Sequence, residues 1–542
     1  MTHLTTRARA AVLATVLAPA LALAACTDLT VDPYSTVSPE NFYRNDVEVA
    51  AALSPVYSQL RATLWAYHNL SQVSSDETIV PTRGGDWGDQ GRWLSMHRHS
   101  WTPQLVDLND AWTASYAGVA RANSLLSDLQ TVEVPNKERI LAEIRALRAF
   151  YYYTLLDLFG NVPLIGDEEG EFRVDPDNPP QTETRQTVFN FVVSELQAAR
   201  GALPVAGAGN GGRFSQGAVD AMLANLYVNA PVFSGSVGAS GLTPGQARWS
   251  DAEASATAVI NGPYQLNQGI EAWYDQFAAD NQDNQEHVFV VQHLPEDGFG
   301  LNFAHRWGHY NSFAGGGWNG FATIAETYNA FAADDPRRVI FLQGQAYFED
   351  TCNRPNPDPA VTCTPVNDRA GKPLIFTIDY PDGVDASASE GNGVRINKFN
   401  VDPNRGPNGN HGNDYPYFRL AEMYLIRAEA NLRLGNESAA LADVNALRAR
   451  LTGDRDGDGE DDAPAQLTSL SLDDLLNERL FELTQEARRR QDLIRYGVFT
   501  SRDWSFKTGA SGPSQPYRVL FPIPQTQIDA SDGLLRQNPG YN

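Results

Sequence analysis

Two glycine-spaced stretches gather the side chains best suited to hold a polyhydroxylated ring. Residues 82–93 carry Arg83, Asp86, Trp87 and Trp93, and residues 302–321 carry Trp307, Tyr310, Trp318 and Asn319 together with His305 and His309. A pyranose offers an apolar face of C–H groups and a belt of hydroxyls. A sugar site therefore needs flat aromatic platforms beside Asp, Asn and Arg hydrogen-bonding groups. The same aromatics also have a packing reading, because tryptophan is mostly buried on average. Glycines at 84, 85, 88, 91 and 315–317 permit tight loop conformations under either reading.

Acids beside aromatics are also what glycosidases use. Catalysis would need a general acid and a second carboxylate at a set separation, and Asp86 and Asp89 are the nearest suppliers. No nucleophile elbow, zinc helix motif, phosphate loop or dinucleotide fingerprint is present. The reading is a binding protein with no catalytic residue and no required cofactor. A third constellation, Asp454, Asp456, Asp458, Glu460 and Asp462, matches the first half of a calcium loop, but its twelfth position falls on Ala465 instead of a bidentate glutamate. A weak calcium site and an ordinary solvated acidic loop are the two alternatives.

The three cysteines divide between two chemistries. Arg7 and Arg9 precede an Ala/Leu/Val run from Ala10 to Ala22, and Leu23-Ala24-Ala25-Cys26 follows at once. That is a signal peptide, residues 1–25, ending in a lipobox, with Cys26 as the acceptor of a diacylglycerol and, in the mature form, of acyl chains such as palmitate. A buried N-terminal helix is the other reading, against which the shortness of the run argues. Cys352 and Cys363 lie in a loop of Asn, Pro, Asp and Thr. An exported chain permits a disulfide there, worth about 3 kcal/mol in the chain-entropy account; a two-cysteine metal site lacks partners at zinc spacing.

The chain has 542 residues and a formal charge of −25. Such an acidic chain is a poor partner for nucleic acid. No later apolar run is long enough to cross a bilayer, so the lipid is the expected tether.

The elements that must position these groups are mainly helical. From Ile140, apolar residues recur at Ile144, Leu147, Tyr151, Leu155 and Leu158, one face of a helix that Gly160-Asn161-Val162-Pro163 stops. From Tyr417, the residues Ala421, Tyr424, Leu425, Ala428 and Leu432 share a face. Gly435-Asn436 turns the chain, and Ala440, Val444, Leu447 and Leu451 share the next. This is a helical hairpin of the tetratricopeptide type, which needs neighbours to cover its remaining apolar side. Further helices are expected over 46–66, 109–130, 185–201, 215–230, 248–261 and 472–496. Within the last, Arg488-Arg489-Arg490 with Glu478, Glu482 and Glu486 reads as an edge of ion pairs at three-four spacing. Between roughly 264 and 415 glycine, asparagine, aspartate and aromatics dominate, with short strand-like pieces at His287–Gln292 and Leu374–Ile378. A long irregular segment in a compact chain is usually functional.

Six stretches, in order, resemble the SusD/RagB family: Asp32-Pro33-Tyr34-Ser35-Thr36; Arg148-Ala149-Phe150-Tyr151-Tyr152-Tyr153 running into Leu158-Phe159-Gly160-Asn161-Val162-Pro163-Leu164; Asp414-Tyr415-Pro416-Tyr417-Phe418-Arg419-Leu420-Ala421-Glu422; Asn477-Glu478-Arg479 through Glu482 to Asp492-Leu493-Ile494-Arg495-Tyr496-Gly497; Leu520-Phe521-Pro522-Ile523-Pro524; and Gln537-Asn538-Pro539-Gly540-Tyr541. Structurally, these motifs read as core and as terminal docking strands. The resemblance implies a mainly α fold on tetratricopeptide-like hairpins with a large loop-rich insertion, organised as residues 26–263 and 264–542 of one integrated unit. It also implies a lipid-anchored outer-membrane protein facing the cell exterior, which captures a glycan and delivers it to a SusC-type TonB-dependent transporter. In the family, ligand contacts come from an aromatic arc on loops, and Trp87, Trp93, Trp307, Tyr310 and Trp318 resemble that supply by type and approximate position. Peptide uptake of the RagB kind and a protein-only scaffold are the alternatives.

Overall fold

The computed structural model describes residues 43, 45–166, 172, 174, 179–205, 211–349, 352, 362–453, 463–508 and 514–541. Cys26 and the acidic loop with Asp454, Asp456, Asp458, Glu460 and Asp462 lie outside these residues. Among the described residues no helix is long and apolar enough to cross a membrane.

The architecture is mainly α. Long helices Asp46–Val73, Val106–Gln130, Lys137–Leu158, Arg185–Arg200, Gln216–Val228, Trp249–Ile260, Leu420–Arg433 and Glu437–Ala449 stack so that each packs on the next along this order. Their ends follow local chemistry. The Asn45 side chain accepts from the backbone N–H groups of Val47 and Glu48, both at 3.0 Å, and so opens the first helix. Gly160 closes the third with φ +73°, and a Cβ there would meet Leu520 at 2.9 Å. Gly118 lets two helices approach, because a Cβ would lie 2.5 Å from the Tyr151 ring. One hydrophobic cluster runs from Tyr43 to Ile523 and joins both halves of the chain.

Strand content is slight. His287–Val291 pairs antiparallel with Tyr415–Arg419, and the remaining named strands are two or three residues long. The helix after the second of these strands starts at Leu420, so Tyr417 belongs to the sheet; all five strand residues are buried. Leu520 to Ile523 are buried as expected, yet this segment forms no strand; the Phe521 N–H docks on the Leu158 carbonyl at 2.9 Å. The chain end is fastened beside it. The Asn538 amide donates to the carbonyls of Phe159 and Phe521, both at 2.7 Å, and Trp101 Nε1 donates to the Tyr541 hydroxyl at 2.9 Å.

The expected single helix over 472–496 is two, Leu472–Leu483 and Arg489–Arg495, with Gln485 and Ala487 at positive φ between them. The expected edge of ion pairs at three-four spacing is corrected as well, because these side chains are buried and their partners are distant in sequence. Glu482 meets Arg419 at 2.7 Å and Arg450 at 2.6 Å, Glu486 meets Arg419 at 2.7 Å and Lys398 at 2.6 Å, and Glu478 meets Arg337 at 3.2 Å. Arg488, Arg489 and Arg490 turn to Glu422, Asp76 and Asp157. Three-four spacing put the charges on one side of a helix; the burial of that side decided what they pair with. The break in the helix lets Glu486 approach Arg419 and Lys398 while Arg489 reaches back to the first helix's end at Asp76.

Candidate functional site

The two aromatic loops converge. Arg83, only 3% exposed, donates from Nε to the Asn319 carbonyl at 2.9 Å and from Nη2 to the Asn392 carbonyl at 2.9 Å. Trp87 Nε1 donates to the Trp318 carbonyl at 2.6 Å, and the Trp87 ring lies on Gly320, where a Cβ would sit 2.3 Å from it. Glycine at 320 is thus what admits the indole. Asn319 is fully buried: its Oδ1 accepts from Arg395 at 2.7 Å and its Nδ2 donates to the Glu390 carbonyl at 3.2 Å.

At the surface of this junction Asp86 Oδ2 accepts the Tyr310 hydroxyl at 2.8 Å and Arg369 Nη2 at 2.8 Å. The Arg369 guanidinium lies 4.2 Å from the Tyr310 ring centroid and its Nε also meets Glu390. His309 completes the knot. Its Nδ1 accepts the Asn311 N–H at 3.1 Å, so the proton sits on Nε2, which donates to Glu390 Oε2 at 2.9 Å. Burial holds the His309 pKa below the ordinary imidazole value despite Glu390. The hydrogen bond from Tyr310 and the adjacent Arg369 depress Asp86. Burial pushes Glu390 up, but the backbone N–H and side chain of Arg369 outweigh it and the net shift is downward. Both carboxylates are therefore ionised at neutral pH, and a neutral imidazole stands beside them.

The eight expected ligand-contacting residues thus divide. Asp86, Trp87, Tyr310 and Trp318 are partly exposed on the two joined loops. Trp93 and Trp307 are each 4% exposed and pack in the core, where their rings contact Phe321 at 5.3 and 5.5 Å; Trp93 also donates to Asp89 at 2.6 Å. Neither leaves a ring face for a ligand. Arg83 and Asn319 are buried and spend their hydrogen bonds on the protein, which makes them positioning residues. Arg369 and Glu390 escaped sequence reading, since nothing in their local sequence distinguishes them within a polar, glycine-rich stretch. Cys352 and Cys363 form a disulfide with Cα atoms 5.6 Å apart. No group of three or more His, Cys, Asp or Glu suited to a metal occurs among the described residues.

Residues 31–228 match a family described as starch-binding and associating with the outer membrane, and residues 375–541 match the SusD family. The chain belongs to the SusD/RagB family. This SusD/RagB chain is 26% identical over 518 residues to the starch-binding protein SusD of Bacteroides thetaiotaomicron, covering 87% of this chain and 85% of that one. Among solved structures, a SusD-like protein from Bacteroides fragilis superposes with a TM-score of 0.70 at 20% identity, over 92% of this chain and 98% of that one. Surface glycan-binding protein A from Bacteroides thetaiotaomicron, solved with laminarihexaose, gives 0.65 at 21% identity over 91% and 99%. These likenesses agree with the mainly helical frame read from the helix periods and with the SusD-like scaffold that the motif resemblance implies.

Proposed function

We propose that this protein captures an oligosaccharide on the surface formed by Trp87, Tyr310 and Trp318 around Asp86, Arg369 and Glu390, and delivers it to a SusC-type TonB-dependent transporter. The observation that carries this reading is the meeting of two loops, more than two hundred residues apart in sequence, through Asp86–Tyr310 and Trp87–Trp318. The partly exposed Trp87, Tyr310 and Trp318 then lie on joined loops that also carry an ordered set of charged hydrogen-bonding groups, the mixture a sugar requires. The starch and laminarihexaose named for the relatives support a glycan as the ligand class.

Binding without catalysis fits the electrostatics. A glycosidase keeps one carboxyl protonated as general acid. Here both Asp86 and Glu390 are depressed and tied to the same guanidinium.

Calorimetry with malto- and laminari-oligosaccharides tests the proposal. Wild type should bind at least one series, and Trp318→Ala should weaken that binding about tenfold with an unchanged melting temperature. Binding of peptides with no response to any oligosaccharide would replace the sugar reading, and release of reducing ends would replace binding by hydrolysis.

The lipobox supports a lipid anchor at Cys26, and the family description supports an outer-membrane position, which in this reading faces outward, where the ligand arrives before the transporter. Cys26→Ala should move the protein from the membrane fraction to the soluble one; retention in the membrane would refute the anchor.

A further inference from the structure

A second cleft with aromatic walls lies where the chain enters the short helix Phe303–Trp307, just before the Tyr310 loop in sequence. Arg61 and Trp65, four residues apart and so on one face of helix Asp46–Val73, border a cavity of about 360 Å³ that is closed on its other side by Phe299 and His293. Trp65 and Phe299 are 37% and 43% exposed, unusual for such large rings. The inner side of Trp65 is held by Arg306, whose guanidinium carbon lies 3.5 Å from the ring centroid, so the open side faces outward.

The polar groups of this cleft are specific. His293 is 4% exposed, and its Nδ1 lies 2.8 Å from the Val291 carbonyl, which places the hydrogen on Nδ1. Its Nε2 is then a bare acceptor with no hydrogen-bond partner among the described residues. Arg61, which lines the cleft, donates from Nη1 to the Gln292 carbonyl at 3.1 Å and stacks 5.0 Å from the Phe299 centroid. An apolar partner would desolvate Arg61 and leave His293 Nε2 unpaired. A carboxylate or phosphate would suit Arg61 but turn oxygen lone pairs on the imidazole lone pair. A hydroxylated ring satisfies both, since one hydroxyl donates to His293 Nε2, another accepts from Arg61, and the C–H face lies on Trp65.

The cleft is joined to the first surface through the core. Arg306 reaches from Trp65 to Phe321, 5.0 Å from its centroid, and Phe321 contacts Trp87 at 5.7 Å. We propose that the Trp65–Phe299 cleft is a second saccharide subsite, which engages the same polymer beyond the residues held at Tyr310. This rests on the glycan reading above.

Affinity electrophoresis of the full chain through gels containing laminarin or soluble starch, with calorimetry on laminaritriose and maltotriose, tests it. Trp65→Ala and Phe299→Ala should each reduce retention by the polymer about tenfold while changing trisaccharide affinity at the Tyr310 surface less than about twofold. Phe299→Ala, in a loop, keeps the test valid if Trp65→Ala is unstable. Full polymer retention in both variants, with loss in Tyr310→Ala, would overturn the subsite and leave the glycan function standing. No retention of wild type by either polymer would overturn both. Unchanged polymer retention with loss of co-isolation of an outer-membrane barrel would reassign the cleft to a protein contact.

Discussion

Replacing Glu482 by alanine is expected to cost about 3–5 kcal/mol of folding stability, the range seen when one member of a buried ion pair is removed. Glu482 is fully buried and Arg419, Arg450 and Trp273 Nε1 all converge on its Oε1, at 2.7, 2.6 and 2.9 Å, with Arg337 3.7 Å from Oε2. Alanine would strand three guanidiniums beneath the loop-rich region with no water to solvate them. Glu286, Glu478 and Glu486 would still hold part of that charge, which places the effect within the range instead of beyond it. Urea denaturation measures the loss, and a change under about 1 kcal/mol would refute this account. The same residue sets an acid response. Burial alone would raise the Glu482 carboxyl, but Arg450, Arg419 and Arg337 outweigh it and hold the pKa far below the ordinary value. A depressed folded pKa means stability that is present above the unfolded carboxylate range and is lost as pH falls through the folded value. Wild type should therefore lose stability progressively below about pH 4.5, and Glu482→Gln should be less stable at neutral pH with a shallower decline in acid.

Tyr310→Ala is expected to reduce oligosaccharide affinity more than about a hundredfold, the behaviour of a central anchor at a binding surface. It removes a ring, and it also releases Asp86 from the hydroxyl and takes the stacking surface from Arg369. Tyr310→Phe separates the two contributions. It keeps the ring under Arg369 and deletes only the bond to Asp86, so a loss of about three- to tenfold is expected. Calorimetry on the two variants decides the matter: equal losses would show that the hydroxyl, not the platform, carries the ligand, and wild-type affinity in Tyr310→Ala would remove this surface from consideration.

The helices were legible because their signals are local. Apolar residues at three-four spacing, with Gly160 and Gly435 as stops, act within a few residues, and the helices lie close to where those signals put them. The split near Gln485 was not legible, since the residues from Leu472 to Tyr496 keep helical periodicity and the positive φ values belong to residues that are not glycine. Trp87, Tyr310 and Trp318 were legible by type and by the glycines around them. Trp93 and Trp307 share that composition yet are buried, because Phe321, brought in by tertiary packing, closes over them. Arg369 and Glu390 could not be found, since their role exists only where residues near 86, 310 and 390 meet, and no periodicity links segments so far apart.

The fastening of the last residues bears on how the molecule comes into being. Asn538 bridges the carbonyls of Phe159 and Phe521, and Tyr541 receives Trp101 while its own hydroxyl donates to Leu520 at 2.7 Å. Asn538 thus reaches a carbonyl 379 residues earlier in the sequence. Closing loops of that length costs chain entropy before any of these bonds can repay it, so the segments around Trp101 and Phe159 are expected to gain these partners late in folding.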